Sequence, residues 1–236
     1  MMKLKLYTFF ILSILFFSAC GSNASSKFTA DAGALNKQLT AAAKSTIRSG
    51  DIILRSGKDF TSYRIRELSD KDKTYSHAGI AYVHDTSVLI YHITPPDLDE
   101  PKADTAMRLE PLEQFADPSK CFGFGIVRYQ LNEDEINAAL KYLDSLHQKK
   151  VSFDHLFDLQ EHNKMYCSEM VDNTLQYATH NRIFLIRKYF TKVQALKAAK
   201  YFHMTMDEVT KRAYISIDNM QLNPYCTTIH NYVFLK

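Results

Sequence analysis

Two runs of β-forming side chains, Ser76 to Val83 and Val88 to Thr94, lie on either side of His84-Asp85-Thr86-Ser87, a tetrapeptide of turn composition. Runs this close together predict an antiparallel hairpin, which satisfies the backbone groups of both. Strand side chains alternate faces, so the hairpin register decides which residues meet. A two-residue loop at His84-Asp85 sets His77 directly opposite His92. A four-residue loop over 84–87 sets His77 opposite Thr94 and diagonal to His92. Either register puts the two imidazoles on one face; a three-residue loop would part them.

Other elements follow from periodicity and punctuation. Asp31 to Arg48 is Ala-rich with helical spacing and stops at Ser49-Gly50. Asp51 to Arg55 and Gly123 to Tyr129 read as strands, Phe60 to Leu68 and Pro111 to Phe115 as short helices. Asn132-Glu133-Asp134-Glu135 carries a helix start: a cap residue, then Glu three positions on. That helix runs to about His147. Ser168 to Tyr177 is a further helix, Phe184 to Ala213 holds more helix, and residues 214–236 read as loop and a final strand.

The N-terminus stands apart. Lys3 and Lys5 precede an uncharged apolar run, Leu6 to Phe17, which reads as a secretory signal. Phe17-Ser18-Ala19-Cys20 looks like a bacterial lipobox, which implies a signal peptide over residues 1–19 and acylation at Cys20; an ordinary signal peptide with an incidental Cys is the alternative. Residues 20–30 read as the lipidated Cys and a small, polar tether, and 31–236 as one domain. Net charge is +3 with no basic run, which argues against nucleic acid as a partner.

Beyond Cys20 there are Cys121, Cys167 and Cys226. Cys121 and Cys226 either pair or stay free and buried. Cys167 opens the helix that follows Met165-Tyr166. A thiol there feels the positive end of the peptide dipoles, and a nearby imidazole lowers its pKa further, so a thiolate–imidazolium pair is expected. First-turn N–H groups would help stabilise an oxyanion. A buried, inert Cys is the plainer reading of Cys167 alone. A zinc site of His77, His92 and Cys167 lacks an obvious fourth ligand, so neither a metal nor a cofactor is expected.

Gly50-Asp51-Ile52-Ile53, Ser76-His77-Ala78-Gly79-Ile80, Tyr91-His92 and Tyr166-Cys167-Ser168-Glu169, in that order, resemble the motif series of the permuted NlpC-type hydrolases. These are the YiiX/YebB-like papain-fold amidases, relatives of lecithin retinol acyltransferase. The resemblance implies an α+β, circularly permuted papain-like fold, an antiparallel sheet packed against helices, with the His strand ahead of the Cys helix. It implies Cys167 as nucleophile, His77 as general base and acid, and His92 as the orienting residue, while Gly50-Asp51 matches a structural position. The expected activity is that of an envelope cysteine amidase or peptidase, membrane-held through its N-terminal lipid. In a Gram-negative cell it would face the periplasm from the outer membrane. Its substrate would be an amide- or acyl-containing cell-wall peptide or lipid-linked group. A lipid acyltransferase or hydrolase using the same residues, and a non-catalytic binding module, are the alternatives.

Overall fold

The computed structural model describes residues 22–94, 107–161 and 163–235, with side chains described from residue 31 on. The signal segment 1–19 and Cys20 lie outside these residues. Helix α1 (Ser22–Lys44) leads to strand β1 (Ile52–Gly57), helix α2 (Phe60–Arg66) and the strands β2 (His77–His84), β3 (Ser87–Ile93) and β4 (Met107–Pro111). Helix α3 (Leu112–Phe115), strand β5 (Cys121–Tyr129) and helix α4 (Glu133–Gln148) follow. Two-residue strands β6 (Ser152–Phe153) and β7 (Lys164–Met165) precede helix α5 (Cys167–Ala178). Then come β8 (Lys188–Tyr189), α6 (Lys192–Phe202), α7 (Met206–Thr210), β9 (Ala213–Tyr214) and β10 (Cys226–Val233).

The chain has an α+β, papain-like architecture. Six strands form one sheet in the order β10-β5-β1-β2-β3-β4, each antiparallel to its neighbours. Alternation sorts the side chains into two cores. Ile52, Leu54, Ala78, Ile80, Tyr91 and Ile93 face α4 and α5. Ile53, Ala81, Val88 and Ile90 face α1 and α3. The helix starts follow the sequence: Asn132 and Glu135 form the full capping box of α4. Helix α1 begins at Ser22, so helix reaches into the segment read as tether. Asn36 holds α1 to the C-terminal strand by exchanging two hydrogen bonds with Leu235.

The hairpin takes the second of the two registers. Gly79 lies opposite His92, and His84 pairs with Ser87 around a two-residue turn at Asp85-Thr86. Both strands extend one residue further into the turn than composition suggested, and Asp85 takes the left-handed φ of 53° that so tight a turn needs. Cys121 and Cys226 are free. Cys226 pairs with Tyr129, at the far end of β5 from Cys121, about 26 Å away for eight extended residues. No disulfide can span that distance. Among the described residues no helix is long and apolar enough to cross a membrane.

The Gly50-Asp51 motif has a structural explanation. Buried Asp51 accepts hydrogen bonds at 2.7 Å from both Nε and Nη2 of Arg128, and at 2.8 Å from the N–H of Arg48. This ties the entry of β1 to β5 and to the end of the first helical segment. Removing one partner of a desolvated ion pair strands the other. Asp51→Ala is expected to cost about 3 kcal/mol, measured by urea unfolding; a loss well under 1 kcal/mol would show that Arg128 finds water instead.

Candidate active site

Cys167, His77 and His92 gather at one end of the central sheet, where β2 begins and β3 ends. Each is buried. Cys167 is the first residue of α5, with Tyr166 as the cap. The Tyr166 ring is locked from both sides: its hydroxyl accepts the Ile215 N–H at 2.9 Å, and its face tilts against Phe157. The cap residue donates its own N–H to the Glu169 carboxyl. These contacts fix the start of α5 and hence the sulfur.

The Ala78 N–H and the Ser168 hydroxyl and N–H lie near the Cys167 sulfur and favour its thiolate. Ala78 is the neighbour of His77, so the thiol stands one residue from the histidine backbone. Their side chains belong to opposite faces of the sheet. Ala78 points toward α5, and His77 toward α3, where its ring packs against Phe115 at 5.6 Å between centroids. No hydrogen bond joins the sulfur to either imidazole in this arrangement.

The two histidines do contact each other. His77 Nε2 and His92 Nδ1 are 2.9 Å apart. His92 Nε2 in turn stands 3.1 Å from Glu110 Oε1, a contact too bent for ideal hydrogen-bond geometry yet within ion-pair range. Phe115 packs edge-on against the His92 ring at 5.1 Å. Arg55 lies directly opposite His77 and Arg108 directly opposite His92 in the sheet register. The Arg55 guanidinium lies over Phe115 and donates to the Phe115 carbonyl at 3.1 Å. An aromatic ring clamped by Arg55 thus holds both imidazoles.

Electrostatics settle which protons are present. Burial would raise the Glu110 pKa, but the contact with His92 and the charges of Arg55 and Arg108 outweigh it and hold the carboxyl below its usual range. Burial lowers the pKa of His92, against the opposing pull of Glu110. Burial, reinforced by Arg55, His92 and Arg108, pushes His77 well below 6.5. Both rings are therefore neutral near pH 7. An ionised Glu110 calls for the N–H of His92 on Nε2. His92 Nδ1 is then an acceptor, and His77 must donate from Nε2. The lone pair of His77 is left on Nδ1, the form a general base requires.

The thiol departs from expectation. Burial raises the Cys167 pKa above its ordinary value, and the donors of Ala78 and Ser168 and the charge of Arg55 only partly offset it. At rest the thiol and the imidazole are both neutral, on opposite faces of the sheet, and no thiolate–imidazolium pair is formed. Beside the sulfur lies a slot of ≈ 10 Å³, room for about one water, walled by Ile65, Leu68, Phe157, Tyr166, Tyr214 and Ile217. A larger hollow of ≈ 310 Å³ lies further along α5, at Asp172 and Phe184, and does not touch Cys167.

Glu110, Arg55 and Phe115 were not singled out by sequence reasoning. Glu110 and Arg108 sit on β4, an edge strand whose Met107-Arg108-Leu109-Glu110-Pro111 is too short and mixed to stand out. Its polar–apolar alternation beside the His92 strand was the available signal.

No family model matches the chain, and no curated protein matches it. Among solved structures it resembles the metalloprotein yiiX of Escherichia coli O157:H7, described under DUF1105, with a TM-score of 0.61 at 16% identity over 79% of this chain and 98% of that one. The likeness is one of fold, YiiX-like and papain-like, and agrees with the strand order and helix placement above. The word metalloprotein belongs to that protein. Here the His77 and His92 nitrogens face each other at hydrogen-bonding distance, one donating to the other. Among the described residues no group of three or more His, Cys, Asp or Glu is arranged to hold a metal.

Glu169, two residues from Cys167, is also unusual. One carboxyl oxygen is buried without a hydrogen-bond partner. Burial, with Asp154, Asp172 and Asp158 nearby, raises its pKa from 4.5 to about 8 against the Tyr166 N–H. Between those values the folded state keeps a proton that the unfolded state releases, so stability falls as pH rises through the window. Glu169→Gln is expected to unfold much like the parent at about pH 5 and to be more stable by a few kcal/mol at about pH 9, read by urea titration. An equal offset at both pH values would mean that Glu169 ionises normally.

Proposed function

We propose that this protein is a cysteine hydrolase that cleaves an amide or acyl bond through an acyl-enzyme on Cys167. His77 is the general base and acid, His92 its orienting partner, and Glu110 the residue that fixes their tautomers. The observation that carries this reading is the Glu110–His92–His77 chain, whose last residue adjoins Ala78, the strand residue next to a thiol at a helix start.

Cys167 attacks the substrate carbonyl as its proton passes to His77 Nδ1. The imidazolium formed is stabilised through His92 by the Glu110 carboxylate, so the proton transfer that burial opposes at rest becomes favourable as charge develops on the oxyanion. First-turn N–H groups of α5 face that charge. His77 then gives its proton to the leaving amine or alcohol, and water activated by His77 returns the thiol. The apolar walls of the slot favour an apolar acyl group, so a lipid acyl hydrolase or acyltransferase stands as the second reading. The apolar leader and Cys20 support an exported, lipid-anchored protein of the cell envelope.

The test is intact-mass detection of an acyl adduct on Cys167 from short- and long-chain thioester and amide reporters. Product analysis separates free carboxylate from acyl transfer to a second amine or lipid. Cys167→Ala should form no adduct, His77→Ala should acylate about 10²–10⁴-fold more slowly, and Glu110→Gln about tenfold or more slowly with KM little changed. Absence of adduct with every reporter would leave a binding module.

Iodoacetamide supplies the pH dependence. Because burial holds the thiol protonated, alkylation of the substrate-free protein should rise only above the ordinary thiol pKa of about 8.5. A midpoint clearly below that value, lost in His77→Ala, would restore the thiolate–imidazolium pair.

A further inference from the structure

Helix α6 turns Ala195, Ala199 and Phe202 into the core, and these account for its attachment. Its opposite face is unusual for a solvated surface: Val193 is 69% and Leu196 64% exposed. Between and beside them stand exposed Lys192, Lys197 and Lys200, and residues 192–202 contain no carboxylate. Tyr189 and Tyr201, each more than half exposed, flank the face. The ion contact nearest to it is a loose one, Lys197 to Glu67 at 3.9 Å.

We propose that this face of α6 docks onto an anionic lipid bilayer. Branched apolar side chains among flexible lysines, with tyrosines at the margin, suit the boundary between headgroups and acyl chains, where apolar tips enter and ammonium groups snorkel to phosphate. A protein partner fits less well, because the cores of protein interfaces are depleted in lysine. A helix of 11 residues, about 16 Å long, is too short to span a bilayer and would lie in its plane. The placement is consequential. Gln194 reaches the Tyr214 hydroxyl at 3.5 Å, and Tyr214 in turn donates to the Leu68 carbonyl. Both Tyr214 and Leu68 wall the slot at Cys167, so the slot lies beneath α6, one contact from the docked helix. The proposal stands without the catalytic reading.

The chain contains no tryptophan, so a single introduced indole is a clean reporter. Full-length Leu196→Trp is reconstituted in phosphatidylcholine vesicles with and without phosphatidylglycerol, and quenching by brominated acyl chains is measured. Val233→Trp, on β10 at an exposed position away from α6, is the control, and far-UV circular dichroism checks both folds. Any N-terminal anchor acts on both variants alike, so the difference between them reports docking. Leu196→Trp should blue-shift and lose roughly half its emission in anionic vesicles, as a ring sunk about 5–10 Å would, while Val233→Trp should not. Adding Lys192→Gln, Lys197→Gln and Lys200→Gln should weaken the anionic dependence by roughly fivefold per lysine. Equal quenching at both positions, or none at 196, overturns the proposal. So does a blue shift that follows protein concentration rather than lipid, which would mark the face as a contact between copies of the chain.

Discussion

The contact between the rings of His77 and His92 governs the rest of the site. Two buried imidazoles 2.9 Å apart must share one proton between facing nitrogens, so one ring donates and the other accepts. Which one donates is decided a strand away by the charge of Glu110. Aligning three side chains from three adjacent strands requires the hairpin register to be right to the residue. A slip of one would send His92 to the opposite face and replace it with Tyr91 or Ile93. The tight Asp85-Thr86 turn and the edge strand β4 therefore serve the site as much as the fold does.

Much of this was legible before the structure. Period-two alternation placed both imidazoles on one face, and one of the two registers read from it is the one observed. The cap at Asn132 and the start of α5 at Cys167 follow from local chemistry that tertiary packing did not override. Glu110 was harder, because its role depends on a pairing across strands separated by residues 94–106, and no local pattern states which strand will fill a sheet edge. Phe115 was read as part of a short helix and Arg55 as part of a strand, but their contact through a carbonyl and a ring face exists only after the sheet has closed.

The thiol shows where local reasoning stops. The helix-start argument correctly identifies a stabilising field for a thiolate, and the donors of Ala78 and Ser168 add to it. Neither reveals how far the sulfur is removed from water. Removal of an anion from solvent costs more than a partial helix charge returns, so desolvation determines the sign. The same competition explains Glu169, which receives the Tyr166 N–H yet keeps its proton to about pH 8. Where burial is nearly complete, dipoles and single hydrogen bonds modulate a pKa whose direction burial has already set.

A buried neutral pair is a poor nucleophile at rest and protects a thiol from oxidants and metals. Its reactivity then depends on something that supplies charge at the right moment. On the proposed mechanism that is the developing oxyanion, whose negative charge would face the N–H groups at the start of α5 while the proton leaves toward His77. The face alternation matters here. Because Ala78 points to α5 and His77 to α3, sulfur and imidazole stand on opposite faces of the sheet at the start of β2. On the proposed mechanism, substrate entry at the slot between the α5 start and Tyr214 must be accompanied by a rearrangement that brings base and thiol together. Substrate entry, not the resting electrostatics, would then be the event that arms the site, and the apolar slot walls would favour substrates able to pay the desolvation of that entry with buried apolar surface.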